Sequence, residues 1–319
     1  MKNDFPPHWG PAPFAQDREK KPKEAIETHR VERLRQARDE IGNELWGDIA
    51  FSHSLLAQVN LPYRNLDPKR EYSRVSGRVS LQLNAGATLA PGGRGWRQLG
   101  LPYGARARLL LLHLCSLAIK QNSAVVETDK SFTAFCRSLG IATNGQNQKA
   151  IRKQILRMSS VSMRLGWEEK NSINVFQGPI FDGFRAQFTA HPDQIPIWSS
   201  EVQFSPRFFA SLKNHAVPMD FRAIQALRHS PRCLDIYAWL SSRLWRVRRP
   251  TKVRWSSLQH QFGQPTQDRR SFKKSFRNAL KQVLMVYPSA RVESIYGGVE
   301  LRNSPPPIDP KKPGPQLAG

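Results

Sequence analysis

Residues 268–287 (DRRSFKKSFRNALKQVLMVY) constrain the fold of this chain more than any other stretch, because they predict one long amphipathic helix. Its apolar residues recur at intervals of three and four positions, so they share one face that must be buried: Phe272, Phe276, Leu280, Val283, Leu284 and Tyr287. Asp268 can cap the start, and the helix after it holds six basic residues and no acidic one. Without internal ion-pair partners, this cationic face is predicted to bind anions from outside.

A short hairpin is predicted directly after this helix. Pro288 ends the helix, and residues 291–304 contain two strand-like segments, RVESI and VELRN, around the turn Tyr296-Gly297-Gly298. A helix followed by a hairpin is typical of the end of a winged helix-turn-helix domain. We therefore expect that fold in the last third of the chain.

The same order of elements occurs twice. The first copy has predicted helices at 105–121, 131–139 and 146–159, a strand at 124–127, and strand-like stretches at 161–167 and 173–188. The second has helices at 231–247 and 256–262, a strand at 251–254, and then the helix and hairpin described above. The order predicts an α+β protein with two tandem winged-helix domains, although individual residues do not match between the copies.

The remaining segments complete the predicted organisation. We assign residues 1–44 to a flexible lead and a charged helix, 45–204 to the first winged-helix domain, 205–304 to the second, and 305–319 to a proline-rich disordered tail. Residues 45–55 and 70–83 are predicted strands, 86–100 a glycine-rich loop, 201–205 an edge strand, and 206–214 and 220–229 helices.

Charge points to nucleic acid as the partner. The chain has 49 Lys and Arg against 25 Asp and Glu, a formal charge of +24. Residues 205–304 alone hold nineteen basic and five acidic residues. No apolar run approaches the ~20 residues of a membrane span, and the first residues lack the pattern of a signal peptide. Three widely spaced cysteines, Cys115, Cys136 and Cys233, favour buried thiols in a reduced, cytoplasmic protein.

The candidate DNA-binding residues fall into three groups. Residues early in a recognition helix reach base edges in the major groove, here Arg269, Arg270, Lys273, Lys274 and Arg277. Phosphate contacts are expected from Lys281, Arg248, Arg249, Lys252, Arg254, Arg291 and Arg302. The helix of the first copy offers a weaker outward set, Lys149, Arg152, Lys153 and Arg157.

The sequence contains no recognisable catalytic constellation. The eight histidines contain no His-hydrophobic-His pair, and the carboxylates are scattered. The glycine-rich loop lacks the Lys-Ser/Thr pair of a phosphate-binding P-loop. His113, on an apolar helix, is expected to be a hydrogen-bonded core residue, and Trp167, Trp239 and Trp245 are expected to lie in the core. We predict a protein that is not an enzyme and has no metal or cofactor.

Three segments resemble the plasmid-encoded RepA family of replication initiators: LPYGARARLLLLHLCSLAI (101–119), VPMDFRAIQALRHSPRCLDIYAWLSSRL (217–244) and FKKSFRNALKQVLMVYPSARVE (272–293). Ser304-Pro305-Pro306-Pro307 after a strand is also similar. The resemblance implies binding to direct repeats in a plasmid origin, opening of the origin, recruitment of the host initiator and replicative helicase, and a possible homodimer. Two other functions stay open: a winged-helix transcriptional repressor, including one that represses its own gene, and an origin-nicking or priming enzyme.

Overall fold

The computed structural model describes residues 23–43, 48–90, 95–129, 131–184 and 201–308, and these form a mixed α and β structure as predicted. The helices are α1 Lys23–Asn43, α2 Gly104–Lys120, α3 Phe132–Ser138, α4 Gly145–Ser160, α5 Pro206–His215, α6 Phe221–Leu227, α7 Pro231–Arg243, α8 Trp255–Phe262 and α9 Arg269–Met285. The strands are β1 Ile49–His53, β2 Glu71–Ser76, β3 Val79–Asn84, β4 Ala87–Leu89, β5 Trp96–Gln98, β6 Val125–Glu127, β7 Ser162–Glu169, β8 Ser172–Pro179, β9 Phe181–Phe184, β10 Glu201–Phe204, β11 Ala216–Asp220, β12 Thr251–Arg254, β13 Val292–Ile295 and β14 Gly298–Leu301.

The helices follow the predicted pattern closely. Each predicted helix is present, with its ends shifted by a few residues; the one predicted at 231–247 ends at Arg243 and continues as a 3₁₀ turn, Leu244–Arg246. Ser131 caps α3 by accepting a hydrogen bond from the Ala134 amide at 3.2 Å. Gly140 then takes a left-handed conformation, φ +68°, which suits the end of that helix.

Several predicted strands are divided differently. Residues 70–83 form two strands, because Gly77 at φ +58° turns the chain between β2 and β3. The glycine-rich segment holds a small antiparallel pair, β4 and β5. The residues between these strands, 91–94, lie outside the described residues. The stretch predicted at 173–188 is divided between two sheets. Strand β8 is an edge strand of the sheet β2-β3-β7-β8, and β9 belongs to the sheet β6-β10-β9.

The sheets also correct two expectations about strand position. The segment EVQFS is β10, which we predicted to be an edge strand, but it is the centre of the order β6-β10-β9. Residues 216–220 were not predicted as a strand, yet they form β11 and pair with β1 from Ile49 to His53. Both pairings join segments far apart in sequence, so local patterns carry little information about them.

The two copies share element order but not strand pairing. In the second copy β12 pairs with β14 of the hairpin that follows α9, giving a sheet β12-β14-β13. In the first copy β6 pairs with β10, whereas the hairpin β7-β8 after α4 joins β2 and β3 in a four-stranded sheet. The predicted repeat is therefore present as an order of elements, built into two different sheets.

A buried ion pair joins the two copies. Arg108 of α2 is 5% exposed, and its guanidinium donates to both carboxylate oxygens of Asp235 on α7, at 2.6 and 2.8 Å. Its remaining hydrogens reach the carbonyls of Leu61, Pro62 and Gly104. Burial alone would lower the pKa of Arg108, but the adjacent carboxylate more than offsets it and raises the pKa. The helix predicted to be apolar nearly all round thus buries a charge, which sequence reasoning missed.

The predicted core residues are buried or partly buried, with one exception, and Trp167 is among those partly buried against the core. Cys115, Cys136 and Cys233 are free and buried. His113 is largely buried beside Phe135 and lies 3.4 Å from Ser138 Oγ, and burial lowers its pKa. Trp239 is buried, but Trp245 is 49% exposed, so its predicted place in the core is wrong.

The start of the predicted tail is part of the folded body. Tyr287 Oη donates to the Pro305 carbonyl at 2.8 Å, Ser304 Oγ accepts from the Arg291 amide at 2.9 Å, and Ile308 is buried. Disorder is thus the wrong prediction for residues 305–308. The rest of that segment and residues 1–22 lie outside the described residues.

Candidate nucleic-acid interface

Helix α9 is fixed by its cap and its buried stripe. Asp268 Oδ1 accepts from the Ser271 amide at 2.9 Å, and this bond lowers the pKa of the Asp268 carboxyl. Phe272, Phe276, Leu280 and Val283 are buried, as the periodicity predicted. A stripe buried along the length of the helix determines which face remains outside.

The stripe packs against α7 and α8. The Phe276 ring lies 5.4 Å from that of Phe262 and 5.9 Å from that of Trp255, and Trp239 of α7 meets Phe262 at 5.4 Å. The Cys233 thiol of α7 lies 3.8 Å from the Ala279 carbonyl of α9. The buried stripe of α9 therefore docks on α7, and α8 completes the contact.

The cationic side of α9 is open to solvent. Arg269, Arg270, Lys274, Arg277 and Lys281 are exposed, and Lys273 is half-buried. In the part of the chain that the structure describes, none of the six makes an ion pair. These side chains are free to approach an anionic partner.

Arg277 links the helix to the hairpin. Its guanidinium lies 5.0 Å from the ring centroid of Trp255, and its Nε donates to Ser294 Oγ on β13 at 3.1 Å. Lys273 Nζ lies 6.0 Å from the same ring. The buried Trp255 thus holds two basic side chains over one face by cation–π contact.

The hairpin and its sheet add exposed cations next to α9. Lys252 and Arg254 on β12 and Arg291 before β13 are exposed. At the tip, Tyr296 is 98% exposed and Gly297 takes φ +83°. Sequence reasoning placed Tyr296 only in a turn and did not select it as a contact residue.

Arg302 differs from the other predicted contacts because its charge is matched. It pairs with Glu300 at 2.7 Å and with Glu293 at 3.9 Å, and these partners raise its pKa. A cation with two carboxylates beside it attracts a phosphate less strongly than a free one. The structure therefore weakens Arg302 as a candidate.

The turn after α7 presents the second predicted cluster. Arg248 and Arg249 are exposed, and the turn is tied to the end of the hairpin because Asn303 Nδ2 donates to the Val247 carbonyl at 3.0 Å. The exposed ring of Trp245 lies 4.5 Å below the Arg246 guanidinium. Arg246 therefore adds a cation to this surface, with Trp245 beneath it. Neither Trp245 nor Arg246 was among the predicted contacts.

A second basic surface is a cleft beside α4. A cavity of about 810 Å³ lies between this helix, the chain before β2 and the chain around β5. Lys149, Arg152 and Lys153 line it, as the outward face of α4 predicted. Lys69, Arg70 and Arg97 line it from the opposite side, and sequence reasoning missed them because it paired no cations across separate segments.

Arg157 does not belong to that outward set, and its prediction as a DNA contact is wrong. It is 3% exposed, with Nη2 donating to Asp67 at 2.5 Å and Nη1 to Asn65 at 2.7 Å and the Leu101 carbonyl at 2.9 Å. Burial works to raise the pKa of Asp67, but the bonds from Asn65 and Arg157 bring it below its usual value. Arg157 is a structural residue that anchors the wall of the cleft.

Only part of the Arg152 guanidinium is accessible to a phosphate. Its guanidinium lies 4.7 Å from the Phe132 ring centroid, and its Nε is buried without a hydrogen-bond partner. Lys149 and Lys153, in contrast, are exposed. The two lysines therefore lead the predicted contacts of α4.

The loop 61–70 holds the two surfaces close together. Arg64 donates to Gln264, just before α9, and Asp67 binds Arg157 at the cleft. The loop therefore contacts the segment before α9 at one end and the wall of the cleft at the other.

Among the described residues, no group of three or more His, Cys, Asp and Glu side chains gathers in a way that could hold a metal ion. No described helix combines the length and apolar character needed to span a membrane.

Comparison with known proteins gives one family and several similar solved structures, two of them of RctB. The crystal structure of selenomethionine derivatives of domain 2 and domain 3 of RctB aligns with a TM-score of 0.49 and 14% identity, over 79% of this chain and 98% of that one. The crystal structure of RctB domains 2-3 (RctB-155-483) aligns with a TM-score of 0.49 and 13% identity, over 77% and 94%. No curated protein matches the chain.

The family match covers the first copy and the beginning of the second. It runs from three residues before α2, through α4 and α7, to the first turn of α8, and the family is described as plasmid encoded RepA protein. Residues 101–256, close to half of the chain, match the model of the plasmid-encoded RepA family, which is the family that the sequence resembles.

Proposed function

We propose that this protein is a DNA-binding initiator of plasmid replication, and that it acts without an enzymatic step of its own. The family match supports the link to plasmids. The observation that carries DNA binding is the exposed cationic face of α9, held outward by a buried stripe and flanked by the cations of the hairpin sheet. Such a face fits the phosphate-lined major groove.

In this proposal the second copy is a winged-helix module. Its order of helix, strand, two helices and hairpin, with β12 paired to β14, supports that assignment. The first turns of α9 enter the major groove, where Arg270 and Lys274 reach base edges. Arg248, Arg249 and Lys252 contact the backbone and set the register.

The first copy provides a second contact through the cleft beside α4. Lys149 and Lys153 on one wall and Lys69, Arg70 and Arg97 on the other support binding of a sugar-phosphate backbone. Two contacts on one duplex favour a target longer than one groove segment. Direct repeats in the plasmid origin are such a target, and their occupation promotes opening of the origin and recruitment of the host initiator and helicase in the cytoplasm. Formation of a homodimer is part of the same proposal.

The reading role of α9 is tested by changing Arg270 and Lys274 to Ala together. The protein is bound to plasmid fragments that carry the origin repeats and to shuffled fragments of equal length. Removing one bidentate pairing with a base removes about 1–3 kcal/mol of discrimination, so we expect the preference for the repeats to fall at least tenfold while binding to shuffled DNA falls much less. Equal losses of affinity on both fragments would show that α9 contacts only the backbone.

A further inference from the structure

A separate group of cations lies where α1 crosses the body of the protein. Helix α1 packs on α6 and α9, and brings Arg30 and Arg33 next to Arg228 and His229 in the turn before α7. Arg106, in the first turn of α2, adds its charge to the same place. We call Arg30, Arg33, Arg106, Arg228 and His229 the arginine cluster.

Two of these arginines have buried atoms without a partner. The Nε atoms of Arg33 and Arg228 are buried and make no hydrogen bond. Arg228 satisfies one other nitrogen, Nη1, through the Gln225 carbonyl at 2.7 Å, whereas Arg33 makes no hydrogen bond or ion pair with any described residue. Buried donors in native proteins are normally paired, so unpaired guanidinium nitrogens indicate an acceptor that binds from outside.

Among the described residues, carboxylates do not balance the charge of the cluster. Glu27 reaches Arg30 at 3.4 Å from an exposed position, and Glu32 pairs instead with His29 at 3.3 Å. Burial and then the charge of Arg30 lower the pKa of Arg33, and burial and then Arg33 lower that of Arg228. Burial and the four arginines lower the pKa of His229 to about 4. Arg33, Arg228 and His229 therefore lie in a positive field.

Two helix starts add to that field. Ser230 caps α7 by accepting from the Cys233 amide at 3.3 Å, directly after His229, and Arg106 lies in the first turn of α2. The first turns of both helices lack acidic residues. Helix starts carry partial positive charge, so both ends favour an anion at the cluster.

We propose that the arginine cluster binds a phosphate-type oxyanion, with Arg33 and Arg228 donating to its oxygens. Planar guanidinium groups match the oxygens of a phosphate better than lysines do, and the cluster contains no lysine. The phosphate comes from a free ion or a small phosphate ester, or from the backbone of bound DNA. The first case does not depend on the proposed function.

The first test is thermal unfolding of the full chain in inorganic phosphate and in chloride at equal ionic strength. We expect phosphate to raise the Tm in a saturable way, because it binds the folded state alone. The variant Arg33→Gln with Arg228→Gln removes this shift. Arg35→Gln with Arg38→Gln removes the same charge from exposed positions of α1 and keeps it.

The same variants distinguish an anion-binding cluster from a structural contact. In phosphate-free buffer, removal of mutually repelling charges gives a Tm equal to or above that of the unchanged protein. A structural role predicts a lower Tm.

The second test separates the two sources of phosphate. If free phosphate leaves the Tm unchanged, binding to non-specific duplex DNA is measured over a range of salt concentrations. A backbone phosphate at the cluster predicts that Arg33→Gln with Arg228→Gln lowers the salt slope by about 0.9 for each phosphate that is no longer neutralised, and by more than the α1 control. If neither phosphate nor DNA distinguishes the cluster variant from the control, the proposal is overturned.

Discussion

Arg108 and Asp235 form the contact whose removal should cost the most stability at a single residue. Asp235→Ala leaves a buried guanidinium without its carboxylate, and such changes cost about 3–5 kcal/mol. Chemical denaturation of the two proteins measures the difference. The exposed carboxylate of Glu293, 3.9 Å from Arg302, gives the matched control, since Glu293→Ala should cost less than about 1 kcal/mol. An equal effect of both substitutions would show that the buried pair is not a structural link.

His53 makes the stability depend on pH. It is buried, stacked on His215 at 5.3 Å, and its Nε2 lies 3.0 Å from Ser211 Oγ. Burial and then the neighbouring His215 lower its pKa to about 3. In the unfolded chain the His53 imidazole binds a proton near pH 6.5, whereas in the folded chain it does so only near pH 3. The free energy of unfolding therefore decreases as pH falls from about 6.5 towards 3.

The expected loss of stability from His53 is about 2 kcal/mol between pH 7.5 and pH 5. His53→Gln is less stable at neutral pH because it changes a buried side chain, but its stability should fall less steeply over this interval. Denaturation curves at both pH values give the two slopes. Parallel slopes in the variant and the unchanged protein would contradict the assignment.

Residue-scale reasoning from sequence succeeded where a residue's neighbours are local. The stripe from Phe272 to Val283 is buried as its spacing predicts, and Asp268 caps α9 as predicted. Arg108 and Arg157 were misjudged because their partners, Asp235 and Asp67, lie 127 and 90 residues away. A basic residue on a helix is exposed by default, and only the tertiary structure shows an exception.

At the scale of elements, α9 and the turn after α7 have different predicted roles on DNA. Arg248 and Arg249 belong to no ion pair among the described residues, and they face solvent beside the hairpin sheet. Arg248→Ala with Arg249→Ala should weaken binding to all duplexes similarly and lower the salt slope by roughly 0.9 for each phosphate that the turn no longer neutralises. The measurement is binding to non-specific duplex from low to high salt.

The control for this prediction removes two arginines elsewhere. Arg35→Ala with Arg38→Ala lowers the net charge of α1 by the same amount at exposed positions. It should leave the salt slope nearly unchanged. If binding to non-specific DNA were unaltered after the removal of Arg248 and Arg249, the turn would have no contact with the backbone.

The elements also show which level of structure the sequence predicts. Helices have a local period, and all those predicted are present. Strands such as β11 and the central β10 depend on distant partners, and their place in the sheets could not be predicted. The cleft beside α4 was missed for the same reason, since Lys69, Arg97 and Lys153 come together only in the folded chain.

At the scale of the whole molecule, the two cationic surfaces belong to one connected fold. The buried Arg108–Asp235 pair fixes α2 to α7, and the loop 61–70 contacts both the cleft and the segment before α9. The folded structure sets the separation of the two surfaces. Under the proposed function, we therefore expect the protein to prefer a target of fixed length that contacts both surfaces.

The most direct measurement is the affinity for plasmid fragments that contain the origin repeats, at several salt concentrations, against a scrambled competitor of equal length. We predict that the repeats bind at least about 10³-fold more tightly than the competitor near physiological salt, and that both affinities fall as salt rises. A ratio that stays near one at every salt concentration would contradict this prediction, because the protein would then be a general basic binder of nucleic acid.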